Sequence, residues 1–111
     1  MALLTASSVT GAATTVTAAA VTTSDTVSGS DIGTNGALLN VINASGGSIN
    51  VTIADPNTTA VGNAGTAVAQ AVGAGADRWF RLSPAHVNSG TGVANVAFSS
   101  ATSVTYKLIR A

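Results

Sequence analysis

The chain is expected to be an all-β protein: an antiparallel β-sandwich or small β-barrel of about seven or eight short strands, immunoglobulin-like or jelly-roll-like. Three observations lead there. The composition is dominated by Ala, Val, Thr, Ser, Gly and Asn, with one Trp, one Tyr and two Phe, which favours pleated surfaces and frequent turns over long helices. Short runs alternate apolar and polar residues, as in Val104-Thr-Tyr-Lys-Leu-Ile109, the pattern of a strand with one buried face. Between these runs lie clusters dense in turn formers, such as Ser28-Gly-Ser-Asp-Ile-Gly-Thr-Asn-Gly36 and Asp55-Pro56-Asn57.

At 111 residues the chain fits one domain, with roughly two-thirds of its unfolded surface buried on folding. Residues 1–13 drift through Leu3, Leu4 and small polar residues without a period and are expected to be an arm or a first strand. Residues 14–111 then form the single β-sandwich domain. Thr14 to Thr23 has helix-favouring alanines, but its Thr and Val residues are stiff at χ1 and suit a strand better. Ser24 to Val27 is a further short strand or its continuation.

The segment from Leu38 to Asp55 is expected to be the organising hairpin. Two runs rich in Val, Ile and Leu flank Gly46-Gly47, and glycine reaches the positive φ angles of a tight primed turn at no steric cost. In the register that pairs Ser45 with Ser48, Ile42 faces Val51 and Ala44 faces Ile49, with Asn40 interrupting the apolar face. A loop longer by one residue would instead unite Leu39 and Val41 with Val51 and Ile53.

Pro56 ends the second run, because proline cannot donate to a ladder. Residues 58–70 are expected to be a surface loop with a short extended piece. Asp77-Arg-Trp-Phe-Arg-Leu82 reads as a strand with two distinct faces, stopped by Ser83-Pro84. Val93 to Phe98 and Val104 to Ile109, joined by Ser99 to Ser103, are expected to form a second hairpin.

Little in the chain suggests chemistry. Four aspartates balance three arginines and Lys107, and Glu is absent, so there is no long-range field to attract nucleic acid or an anionic membrane. A near-neutral surface of this kind favours association within a larger assembly. With no cysteine and a single histidine, His86, neither a disulfide framework nor a zinc site is expected. Serines are plentiful, but none lies in a G-x-S-x-G elbow. No enzyme activity, cofactor or metal is expected, and the aspartates read as turn or capping residues. Met1-Ala-Leu-Leu lacks a basic leader and a long apolar stretch, so no export signal is expected.

Trp79 is the most informative side chain and allows two readings. It is either a core tryptophan closing two sheets or an interface anchor flanked by Arg78 and Arg81. If Phe80 and Leu82 point inward, Trp79 and Arg81 point outward together.

The run V-I-N-A-S-G-G-S-I-N-V-T-I-A-D-P-N-T-T, the strand A-G-A-D-R-W-F-R-L, the run T-G-V-A-N-V-A-F-S and the closing S-V-T-Y-K-L-I-R together resemble the capsid decoration proteins of tailed bacteriophages, also called cement or minor capsid proteins. The resemblance covers about Ala37 to Arg110, and Gly73 stands where such sequences carry proline. It implies a structural virion protein, made in the host cytoplasm, that binds the outside of the capsid and stabilises the shell of major capsid protein. Self-association is left open between trimer and monomer. Leu3, Leu4, Arg78, Trp79 and Arg81 are the expected partner contacts. The alternative is a tail- or fibre-associated, or carbohydrate-binding, β-sandwich adhesion module.

Overall fold

The computed structural model describes residues 2–58, 60–63, 65 and 67–110. In chain order the elements are β1 (Ala2–Leu3), β2 (Ser7–Ser8), β3 (Ala19–Ala20), β4 (Ser24–Ser28), the one-turn helix α1 (Gly29–Ile32), β5 (Ala37–Asn43), β6 (Ile49–Ile53), β7 (Gln70–Val72), β8 (Asp77–Leu82), a 3-10 turn (Pro84–His86), β9 (Val93–Phe98) and β10 (Val104–Arg110). They build two five-stranded sheets packed as a sandwich. The first sheet runs β1-β4-β9-β6-β7; the second runs β2-β10-β5-β8, with β3 also on β10. The all-β sandwich expected from the sequence is therefore the fold. Among the described residues the strands of three residues or more number seven, and the rest are two-residue pieces from the first twenty residues.

Both expected hairpins are absent. β5 lies in the second sheet and β6 in the first, and β9 and β10 are divided the same way. The stretches Ala44–Ser48 and Ser99–Ser103 are arches that carry the chain from one layer to the other. Alternation explains why a pattern that looks like a hairpin folds as an arch. Leu39 and Val41 on β5 and Ile49 and Val51 on β6 are all buried, so the two runs face each other across the core instead of lying side by side. The longer-loop register picked the right inward residues and assigned them to one sheet. Neither Gly46 nor Gly47 takes the positive φ a primed turn needs.

Asn43 holds the first arch. Its side chain is fully buried, and Nδ2 donates to the carbonyls of Gly47 (2.8 Å) and Val72 (3.0 Å). Oδ1 accepts from the backbone N–H of Ser45 at 3.0 Å. The second arch leans on the first through Ala44 N–H to the Ser103 carbonyl, 2.9 Å.

Pairing is antiparallel throughout the longer strands, but β1 runs parallel to β4 and β2 parallel to β10, which makes the sheets mixed. The N-terminal arm causes this. It pairs with the first sheet at Ala2–Leu3 and with the second at Ser7–Ser8, lying across the flank of the sandwich. Between these contacts Leu4 turns into the core at 2% exposure, with Ala6 beside it. The arm is held by Leu4 N–H to the Thr26 carbonyl (2.8 Å) and by Thr5 N–H to the Tyr106 hydroxyl (2.9 Å). Asp25, also buried, accepts from the N–H groups of Ala2 and Thr22.

The strand expected over residues 14–23 shrinks to Ala19–Ala20. Val21 is the one fully buried residue of that run, so too little apolar surface is gained to hold a longer ladder against β10. The core itself is built from Val27, Leu39, Val41, Val51, Val72 and Leu82, none with measurable exposure. Each such burial contributes roughly 1.5–3 kcal/mol.

Candidate functional site

β8 forms one edge of the second sheet, pairing only with β5 among the described residues. Its alternation sets its two faces. Leu82 is buried and Phe80 packs against the core, which turns Asp77, Trp79 and Arg81 to the outer face. Trp79 is 54% exposed, the core reading is set aside, and Arg78 and Arg81 are exposed as well.

Cross-strand registration extends this outer face over three strands. Arg81, Leu38 and Ile109 form one row, Trp79, Asn40 and Lys107 the next, and Asp77, Ile42 and Thr105 the third. Leu38, Ile42 and Ile109 are half-buried. Asn40 is 3% exposed, with Nδ2 donating to Asp77 Oδ2 and to the Arg78 carbonyl, both at 3.2 Å. It does not interrupt the core, as the sequence reading had it, because it points to the other face. An aliphatic patch is thus bordered by an exposed tryptophan and by charges at its rim, the composition of a contact surface.

The ends of the β8 edge are occupied. Arg78 Nη1 donates to its neighbour's carbonyl, Asp77 O, at 2.8 Å. At the other end Ser83 N–H donates to His86 Nδ1 at 3.0 Å, while His86 N–H returns to the Ser83 carbonyl. An imidazole accepting at Nδ1 carries its proton on Nε2, so His86 acts here as a turn cap.

The expected contacts do not converge. Leu3 is 59% exposed on β1, the flank where the arm crosses, whereas Trp79 stands on the opposite flank of the sandwich. Leu4 is not a partner contact at all. The resemblance implies such a contact, but Leu4 follows β1, donates its N–H to the Thr26 carbonyl and turns its side chain into the core.

A cleft of about 380 Å³ runs beside β8, lined by Phe80, Arg81, Asp55, Asn57, His86 and residues of the 67–70 stretch. Sequence reasoning missed it, because Asp55 and His86 sit on loops whose placement no local pattern encodes. Asp55 Oδ1 accepts from Asn57 N–H (3.0 Å), and Asn57 Nδ2 donates to the Ala85 carbonyl (2.8 Å). These bonds fix loop shape. Among the described residues no three His, Asp or Glu side chains gather where a metal ion could sit. Asp25 is engaged by the arm, and Asp31 pairs with Arg110 at 2.9 Å. No helix among the described residues is long and apolar enough to cross a membrane.

No family model, curated protein or solved structure matches the chain.

Proposed function

We propose that the chain is a non-catalytic structural protein of a virion, binding the outside of a tailed-phage capsid and stabilising its shell of major capsid protein. The observation that carries this reading is the outward row of Asp77, Trp79 and Arg81 beside the half-buried Leu38 and Ile42, in a domain whose buried polar side chains, Asp25, Asn40 and Asn43, are bonded to the arm, to β8 and to the first arch. Trp and Arg are the residues most enriched where binding energy concentrates. A ligand that binds only the assembled shell stabilises it by mass action, in proportion to the logarithm of its free concentration over Kd.

Quantitative mass spectrometry of particles purified from cells producing the chain tests the proposal. Many copies per particle, released together with loss of resistance to heat, are expected. A handful of copies would move the chain to a tail or fibre, and absence from every particle fraction would overturn the virion reading. Trp79→Ala is expected to abolish capsid binding while leaving the circular dichroism of the domain unchanged.

A further inference from the structure

The register of β8 on β5 determines which backbone groups face away from the sheet. Asn43 N–H donates to the Ala76 carbonyl at 2.9 Å, which makes Asn43 and Ala76 a hydrogen-bonded pair. In an antiparallel ladder such pairs alternate, so Val41 with Arg78, Leu39 with Phe80 and Ala37 with Leu82 follow as hydrogen-bonded pairs. The N–H and C=O groups of Asp77, Trp79 and Arg81 therefore point to the free edge. Among the described residues the Trp79 and Arg81 backbone groups have no partner there. The caps described above, Arg78 on the Asp77 carbonyl and His86 on the Ser83 N–H, leave open the Asp77 N–H and both backbone groups of Trp79 and Arg81, with Trp79 at the centre of this window. Natural proteins blunt or cover exposed edges, and among the described residues this one is blunted only at its ends.

We propose that this window pairs with the same window of a second copy, β8 against β8, antiparallel about a two-fold axis through Trp79. The argument is charge complementarity. An isologous contact requires that if Asp77 meets Arg81 of the partner subunit, Arg81 meets the partner's Asp77. Asp77 and Arg81 are spaced equally on either side of Trp79 and lie on the same face, so this register sets opposite charges directly across from each other on both sides of a tryptophan pair. The other registers that keep the outward backbone groups facing are poorer. Centring on Arg81 opposes two guanidiniums, centring on Asp77 opposes two carboxylates, and centring on Arg78 or Phe80 places a charge against tryptophan and leaves the opposite charges unmatched.

On the inner side the same register sets Arg78 opposite the partner's Phe80, a cation over an aromatic face. A cleft separates β8 from residues 67–70. Pairing would join the second sheets of both copies into one continuous sheet and bring their outer faces side by side.

This inference does not rest on the virion reading, and its test uses the purified chain alone. Sedimentation equilibrium over a concentration series is expected to show a mass rising from 10.7 kDa towards twice that value. Asp77→Arg and Arg81→Asp are each expected to weaken association at least about tenfold, and the double variant carrying both to restore it to within about threefold. Amide hydrogen exchange reads the same edge without a mutation. Exchange at Trp79 and Arg81 should slow as concentration rises, while Arg78 and Phe80, already bonded to β5, stay protected at every concentration. A chain that remains monomeric up to about 1 mM, a trimer, or concentration-independent exchange at Trp79 would overturn the proposal. So would single charge reversals without effect in variants whose circular dichroism is native.

Discussion

Asn43 Nδ2 lies 3.0 Å from the carbonyl oxygen of Val72, a hydrogen bond from the end of one sheet to the edge strand of the other. β5 and β7 belong to different layers, and this buried amide joins them while shaping the arch between β5 and β6. Asn43→Ala leaves the Val72 and Gly47 carbonyls and the Ser45 N–H without that partner. It should cost on the order of 3 kcal/mol in urea unfolding. Asn43→Asp keeps the acceptor for Ser45 but sets a carboxylate against two carbonyls, and should destabilise more than alanine does. An aspartate variant as stable as wild type would remove this role from the amide.

The N-terminal arm should behave as part of the sandwich. Leu4→Ala empties a core position and is expected to cost about 2–5 kcal/mol, whereas Leu3→Ala, at an exposed site, should stay within about 0.5 kcal/mol. Tyr106→Phe removes only the hydroxyl that receives Thr5 N–H, for about 1 kcal/mol. Faster amide exchange confined to residues 3–8 in that variant would mark the arm as the region released.

Gly36 has φ +87°, and a Cβ placed there would come within 2.6 Å of the Leu82 carbonyl oxygen. Gly36→Ala therefore combines left-handed backbone strain with a clash against the end of β8. A loss of about 3 kcal/mol or more is expected in thermal unfolding, with β8 amides the first to lose protection.

Two residues of β8 should separate stability from contact. Leu82→Ala, fully buried, is expected to lower stability by about 2–5 kcal/mol, while Trp79→Ala should change it by no more than about 0.5 kcal/mol. Guanidinium titrations of the two variants check this. Substantial destabilisation by Trp79→Ala would mean that the ring is needed to shield Asn40 and hold β5 to β8.

Much of this was legible in the sequence at the level of single strands. Asp77–Leu82 and Val93–Phe98 were bounded by turn formers and proline and lie where the alternation put them, and the inward Phe80 and Leu82 implied an outward Trp79. What failed was pairing. Alternation tells which residues point the same way but not whether two neighbouring runs share a sheet or face each other across a core. Ser45-Gly-Gly-Ser48 suits a primed turn, but the tertiary demand to bury Asn43 with its bonds to β7 prevailed. Leu4 was misplaced for a related reason: an arm held by two-residue parallel pairings has no local signature. The cleft beside β8 was equally hidden, since it is formed by loops from distant parts of the chain.

The arches also bear on how the molecule comes into being. Among the longer strands only β6 and β7 are both consecutive and paired, so almost no ladder can form between segments as they emerge one after another. β10, which follows every strand it pairs with in the chain, lies inside its sheet with β5 on one side and the arm on the other, and that layer has no interior until residue 110 has been made. Folding should therefore be slow, on the millisecond-to-second scale of proteins dominated by distant pairings, and an unfinished chain would expose β5 and β8 to whatever else is nearby.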